Sequence, residues 1–483
     1  MREILNCKLT LFSELNKGIT FGGELRKAVN LRSVFVSSTK KNRSMKVLKF
    51  GSSAVANAQR IKDVANLVSS KRGEGNIIVL SAIEGTNDTL AEIADYLYKK
   101  NADGANELIN ELERRYLNLA KELFAFDSRL ASVNLELKDR FAKMRSMSKE
   151  IFTLFEEKKI IAQGPTLLSF LFAEYLSTQG VKAPLVPAFD FMKIDKNEEP
   201  DTQFIKKSLA AALEQAGEAD LYITEGFICK NAYGETDNLK RGGSDYTASL
   251  IGAAVGAEEI QIWSDQNGIY NNDIRIVKNA KTVEKLNFEE AAELSYFGEK
   301  TLHPTSILPA KLANIPVRLL NALEPEAQGT LISTDYAENK IEAIAAKDGI
   351  SAIRIKSGKM LLAHGFLRKV FEIFERFKTP IDMITTSEVG VSITIDNSKN
   401  LDDIIDELKM FGTVSADRNM TIVCVVGDLA DKNVGFQSKI TSALKDITIR
   451  MISYGGSSHN MSFLIHTEDK EKALNALNDS LFS

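Results

Sequence analysis

Asn238-Leu-Lys-Arg-Gly-Gly-Ser-Asp-Tyr-Thr-Ala248 sets a cation, two glycines, a hydroxyl and a carboxylate ahead of an apolar run, residues 246–257, that reads as a helix. Glycine lets backbone N–H groups come close to a ligand, and the start of a helix favours anions. Arg241 can grip a carboxylate through two parallel hydrogen bonds. An ordinary glycine-rich turn before a helix would look the same, so the stretch takes its meaning from its neighbours.

Around it, strand and helix patterns alternate. Residues 47–50 form a short apolar strand, and Ile61, Val64, Ala65 and Val68 fall on one helical stripe. Residues 77–80 read as a buried strand ending in the polar turn Glu84-Gly-Thr-Asn-Asp88. Residues 105–159 hold no proline and read as a long helical stretch. Further strands are expected at 185–187, 221–227, 259–263 and 316–320. This alternation predicts an α/β sandwich with a mainly parallel sheet, whose ligands bind beyond the carboxyl ends of the strands.

Near residue 339 the pattern changes. Strands at 350–355, 381–387, 389–395 and 412–416, with helices at 365–377 and 401–411, give βαββαβ, a small ferredoxin-like module. A second module starts at 420–426 and closes with a helix at 474–482, without a final strand. Ile381-Asp-Met-Ile-Thr385 recurs as Ile449-Arg-Met-Ile-Ser453, an internal repeat. An unpaired sheet edge is a liability, so residues 341–346 are expected to fold back and supply the missing strand. The expected domains are therefore 1–44, 45–338, 339–418 and 419–483.

The chain of 483 residues carries a net charge of −4, which offers no basic excess for nucleic acid. No apolar run approaches the roughly 18 residues of a membrane span. Cys7, Cys229 and Cys424 lack metal-ligand spacing and read as free thiols in a reducing, cytoplasmic setting. The histidines at 303, 364, 459 and 466 are scattered, so no zinc site or histidine-based triad is expected. Residues 1–44 hold nine Lys or Arg against three Glu and read as a disordered extension, a composition that also partly suits a transit peptide. Neither a P-loop nor a Rossmann glycine signature occurs.

Ile262-Trp-Ser-Asp-Gln-Asn-Gly-Ile-Tyr-Asn-Asn-Asp-Ile-Arg-Ile276, Tyr296-Phe-Gly-Glu-Lys-Thr-Leu-His-Pro304 and Val47-Leu-Lys-Phe-Gly-Ser-Ser-Ala-Val55 follow or precede the glycine stretch in a specific order. Together they resemble the aspartokinases, above all the monofunctional lysine-sensitive type, from about Met45 to the C-terminus. The resemblance implies a three-layer amino-acid-kinase domain followed by two ACT modules. It implies phosphorylation of the side-chain carboxylate of L-aspartate by ATP, with Mg2+ as the counter-ion of ATP and no protein ligand named for it. Lys49 would neutralise the γ-phosphoryl group and Asp245 would orient the catalytic groups. Arg241, Ser244, Phe227 and either Thr86 or Asn87 would hold aspartate. Gly51, Ser52, Ser264, Asp265, Tyr270, Arg275 and Lys300, with Lys49, would hold the nucleotide. A carboxylate acceptor is already ionised near neutral pH, so the lack of a catalytic His or Cys fits this reaction.

Three positions depart from the family pattern. Ser52 replaces a second glycine, which is expected to narrow the backbone choices there. Asn87 stands at the family's aspartate-touching Thr. Pro165, in Gln163-Gly-Pro-Thr166, replaces a Glu that holds the substrate ammonium. Losing that charge-assisted contact is expected to cost roughly 1.5–3 kcal/mol in aspartate affinity.

For regulation, Met360, Gly365, Leu367, Ile381 and Asp382 match the effector pocket of the first ACT module, with Ala363 where the family has Ser. Lysine is the expected effector, and a homodimer or dimer of dimers through the ACT modules the expected assembly. The sequence ends at Ser483, and a fused homoserine dehydrogenase is not expected. Two alternatives stand beside this reading: another carboxylate or carbamate kinase of the same fold, and a catalytically weakened amino-acid-sensing subunit, supported by Pro165 and Ser52.

Overall fold

The computed structural model describes residues 45–71, 75–125, 127–147, 151–239, 242–298, 302–335, 340–358, 364–430 and 433–482. In chain order the first part contains β1 (Lys46–Phe50), α1 (Ala58–Ser69), β2 (Asn76–Leu80), α2 (Thr86–Tyr98), α3 (Ala102–Leu123), α4 (Leu130–Met147), α5 (Leu154–Ile161), α6 (Gln163–Thr178), α7 (Ala188–Phe191) and α8 (Thr202–Ala216). There follow β3 (Leu221–Glu225), β4 (Ile228–Lys230), β5 (Thr236–Asn238), α9 (Gly243–Val255), β6 (Glu259–Ser264), β7 (Lys285–Asn287), α10 (Phe288–Phe297), α11 (Leu308–Ala313), β8 (Val317–Asn321) and β9 (Thr330–Ser333).

The described strands build a seven-stranded sheet in the order β3-β2-β1-β6-β8-β9-β7, parallel from β3 to β8. Successive residues of β1 face opposite sides. Val47 joins a core with Ile262, Ala248 and Ile251 of α9, whereas Leu48 and Phe50 join one with Trp263 and the helices around Tyr116 and Phe172. Two apolar cores on the two faces of one sheet make the three-layer sandwich. Phe50 stacks on Trp263 at 5.9 Å between ring centroids, tying β1 to β6 where the site begins.

Two local expectations need correction. Residues 105–159 are three helices, because Asp127 accepts a hydrogen bond from the Arg129 N–H and Thr153 with Glu156 forms a capping box that starts α5 afresh. Residues 185–187 make a single bridge, Leu185 to Ile223, not a strand, since Pro184 and Pro187 cannot donate to a ladder.

The rest of the chain forms β10 (Ile341–Lys356), α12 (Phe366–Arg376), β11 (Ile384–Ser387), β12 (Gly390–Ile395), α13 (Leu401–Leu408), β13 (Thr413–Gly427), α14 (Phe436–Ala443), β14 (Ile449–Tyr454), β15 (Asn460–His466) and α15 (Lys470–Leu481). Their sheet runs β11-β12-β10-β13-β15-β14, antiparallel throughout. β10 is long enough to serve both repeats: residues from Ile341 to Lys347 pair with the Ile422–Gly427 half of β13, and residues from Ala352 to Lys356 pair with its other half and with β12. Helices α12 and α13 cover one part of the sheet, α14 and α15 the other. The opposite face packs against α10 through Ala352, Met383, Ile422 and Cys424.

Candidate active site

The carboxyl ends of β1, β2, β3 and β6 open into a cavity of about 560 Å³. Its walls include Lys49, Gly51 and Ser52 after β1, Ser81, Ala82 and Asn87 after β2, and Gly226 and Phe227 after β3. Ser244 and Asp245 of α9, Ser264 and Asp265 after β6, and Pro165 of α6 complete it.

At its centre Lys49 Nζ lies 2.5 Å from Asp245 Oδ1. Both side chains are largely buried, so the pair attracts across a medium less screening than water. Asp245 stands in the first turn of α9, whose N-cap residue, Gly242, has no side chain to cap it. That turn depends on glycine. Gly242 and Gly243 adopt φ of 67° and 51°, and a methyl group on Gly242 would fall 2.5 Å from the Ser306 Cβ. Gly226 is compelled in a different way, because a methyl group there would lie 2.4 Å from the Ser244 Cβ. Ser244 Oγ in turn sits 2.6 Å from Ser81 Oγ, joining the ends of β2 and α9.

Phe227 holds a φ of 76°, an unfavourable conformation for a bulky residue, fixed by a 2.8 Å hydrogen bond from its N–H to Thr247 Oγ1. Its carbonyl also accepts the Leu239 N–H at 2.8 Å. The strain therefore sits where an aromatic side chain is turned into the cavity. Next to it Glu225 is buried, and burial raises its carboxyl above the usual range while one oxygen accepts the Ala188 N–H at 2.8 Å.

Of the two aspartate-contact candidates in the β2–α2 turn, Asn87 lines the cavity and Thr86 does not. Thr86 is fully buried with its hydroxyl 3.2 Å from Tyr116 Oη. Gly164 lets α6 approach, since a methyl group there would lie 2.5 Å from Asn87 Oδ1. Pro165, in the first turn of α6, presents a ring to the cavity and no charge. Ser52 has φ −57° and ψ −37°, an ordinary right-handed conformation, so serine in place of glycine strains nothing there.

Other candidates lie elsewhere. Arg275 forms a two-pronged pair with Asp273, at 2.8 and 2.6 Å, on an exposed loop outside the cavity walls. That partner holds Asp273 below the usual carboxylate range. Tyr270 bridges to Thr282, also outside the walls. Arg241, Lys300, Met360 and Ala363 lie outside the described residues, as do residues 1–44. Ser53, Ser81, Gly226 and Gln266 line the cavity without having been singled out as candidates; Ser81 was visible in the sequence only as the end of a strand.

In the first small module Gly365 caps α12 with a φ of 76°, and Leu367 and Ile381 pack on the module core. Asp382 points to the catalytic part, accepting hydrogen bonds from Tyr296 Oη at 2.7 Å and Lys347 Nζ at 3.0 Å. A second cavity, about 540 Å³, opens beside Arg354, Lys356, Thr385, Ser387 and Ser392, and none of Gly365, Leu367, Ile381 and Asp382 lines it.

The amino acid kinase family profile matches residues 44–321, and the ACT domain profile matches residues 423–481. The chain is 33% identical to lysine-sensitive aspartokinase 3 of Escherichia coli over 458 residues, covering 90% of this chain and 99% of that one. It belongs to the aspartokinase family. Aspartokinase 1, chloroplastic, of Arabidopsis thaliana is likewise 33% identical, over 90% of this chain and 80% of that one. The crystal structure of E. coli aspartokinase III with lysine and aspartate, described as the T-state, superposes with a TM-score of 0.77 at 31% identity, over 91% of this chain and all of that one. The aspartate and ADP complex, described as the R-state, gives the same TM-score at 30% identity. As an aspartokinase this chain is a kinase, with an amino-acid-kinase domain ahead of its ACT region.

Proposed function

We propose that the Lys49–Asp245 cavity transfers the γ-phosphoryl group of ATP to the side-chain carboxylate of L-aspartate. The observation that carries this is the buried ion pair at the mouth of four parallel strands, between a serine-rich turn and a helix that starts at glycine. The bond from the γ-phosphorus to the β–γ bridging oxygen breaks, a bond to the aspartate carboxylate oxygen forms, and ADP and 4-phospho-L-aspartate result. No proton needs removal, because the acceptor carboxylate is ionised at neutral pH.

Lys49 neutralises charge on the transferring group, and Asp245 holds its ammonium in place. Gly51, Ser52, Ser264 and Asp265 receive the nucleotide on one side. Ser244, Phe227 and Asn87 receive aspartate on the other, and Arg241 completes that grip through its guanidinium. Tyr270, Arg275 and Lys300 would contact the nucleotide as the family resemblance implies, Arg275 exchanging its Asp273 partner for a phosphate. No cluster of His, Cys, Asp or Glu able to hold a metal ion occurs among the described residues. Mg2+ would be carried by the phosphates of ATP and by water, and would supply charge neutralisation on the ATP tail.

Residues 45–338 carry catalysis in this proposal, and 339–483 bind an amino-acid effector, lysine, through Gly365, Leu367, Ile381 and Met360, with a homodimer formed through the ACT modules; Asp382 is already held by Tyr296 and Lys347. A cytoplasmic setting accords with the free, buried thiols of Cys229 and Cys424. A second reading, a sensing subunit with weakened catalysis, rests on the uncharged Pro165 in the cavity wall. ADP release by the purified protein, measured with Mg-ATP and with or without aspartate, separates them. Aspartate-dependent release supports the kinase, and its absence at saturating aspartate leaves the sensing subunit.

A further inference from the structure

Helix α10 lies between the two halves of the protein, and its far end is seated on the regulatory sheet. Tyr296 Oη donates to Asp382 Oδ1 at 2.7 Å. Lys347 of β10 pairs with the same oxygen at 3.0 Å and with Asp396 at 2.8 Å, and its ammonium lies 4.3 Å from the centre of the Tyr296 ring. The Asp382 side chain is 1% exposed, so its charge depends on these two partners. One residue past the helix, Gly298 touches β10 so closely that a methyl group would sit 3.0 Å from the Ala346 backbone.

Helix α10 also packs against the turn Pro304–Ile307. Ser306 of that turn is buried against Gly242, the residue that starts α9 and so aims Asp245 at Lys49. A continuous line of contacts therefore joins Asp382 to the catalytic ion pair by way of Tyr296, α10 and Ser306.

We infer that Tyr296 is a positioning residue for the phosphoryl transfer, anchoring α10 to the regulatory sheet so that Ser306 holds the Gly242 turn and Asp245 in register. Chains of packed groups can carry coupling between distant sites. The kinetic part of the inference rests on the kinase reading above; the mechanical part does not.

The test uses the full chain with Tyr296→Phe, which keeps the ring and removes only the hydroxyl. Amide hydrogen exchange, followed by mass spectrometry on the peptide spanning 242–255, reports the mechanical link. We expect exchange at that helix start to rise about tenfold with little change in melting temperature. In turnover, kcat is expected to fall about tenfold while the KM values for ATP and aspartate stay within about twofold, since the loss lies in alignment and not in ground-state binding. Asp382→Asn is expected to act alike, and the double variant to be little worse than either single one. Unchanged exchange at 242–255 in Tyr296→Phe overturns the inference, as does an unchanged kcat in an active enzyme. Increased exchange in a protein that never makes an acyl phosphate supports the link and sinks the kinase reading alone.

Discussion

Lys49 Nζ and Asp245 Oδ1 stand 2.5 Å apart, joining the end of the first core strand to the first turn of α9 across the mouth of the sheet. Removing either charge leaves its partner buried without a counter-charge, which is costly. Lys49→Ala is expected to lower kcat by about 10²–10³ with modest change in aspartate KM, by analogy with loss of one fixed charge stabiliser. Asp245→Asn should lose a similar amount. Steady-state kinetics with a folding check by circular dichroism decides; a tenfold change or less in both variants contradicts the assigned roles.

Pro165 gives the cavity an uncharged wall where the proposal seats aspartate. Pro165→Glu is expected to tighten aspartate binding by one to two decades, matching roughly 1.5–3 kcal/mol for a charge-assisted contact. Isothermal titration with aspartate measures it directly. Unchanged affinity would mean that this position does not face the substrate ammonium.

Gly226 tolerates no side chain, with a methyl group falling 2.4 Å from the Ser244 Cβ on one side and 3.2 Å from the Leu80 carbonyl on the other. Gly226→Ala should therefore displace the first turn of α9, costing about 1–3 kcal/mol in urea unfolding and most of the activity. Full stability and activity in this variant would show that the turn has slack.

Glu290, on α10 where it meets Glu342 and Asp428, is 2% exposed, and burial pushes its carboxyl up to about 7. The protonated form is favoured in the folded state, so its stabilising effect is complete below the unfolded value near 4.5. That effect is lost as pH climbs from there to about 7. The loss amounts to as much as ~3 kcal/mol from this one residue. Glu290→Gln keeps an acceptor for the Asn287 N–H, which Glu290 now takes at 2.9 Å, but cannot ionise. Urea unfolding at about pH 5 and about pH 7.5 should show a smaller drop in the variant than in the parent. Equal drops would mean that Glu290 titrates normally.

Much of this was written in the local sequence, and what escaped it was of one physical kind. Lys49, Ser244, Asp245 and Ser264 sit at strand ends or a helix start, where the α/β pattern places ligand sites, and the family resemblance picked out these four among the Gly, Ser and Asp turns. Thr86 and Asn87 could not be told apart from sequence, because neighbours on a helix start face different ways and only the packed Tyr116 shows which one is core. The breaks within 105–159 came from an Asx turn and a capping box, which leave helix-forming composition undisturbed. Arg275 read as a phosphate ligand by its motif, yet its nearest carboxylate, Asp273, is two residues away and claims both prongs of the guanidinium. Asp382 shows the same limit at long range, since its partners Tyr296 and Lys347 are 86 and 35 residues distant in the chain.

Hydroxylamine trapping of an acyl phosphate tests the central claim most directly. With Mg-ATP and L-aspartate the parent protein should yield aspartyl hydroxamate, and Lys49→Ala should yield almost none. No hydroxamate from the folded parent at saturating aspartate, or an undiminished yield from Lys49→Ala, would contradict the account.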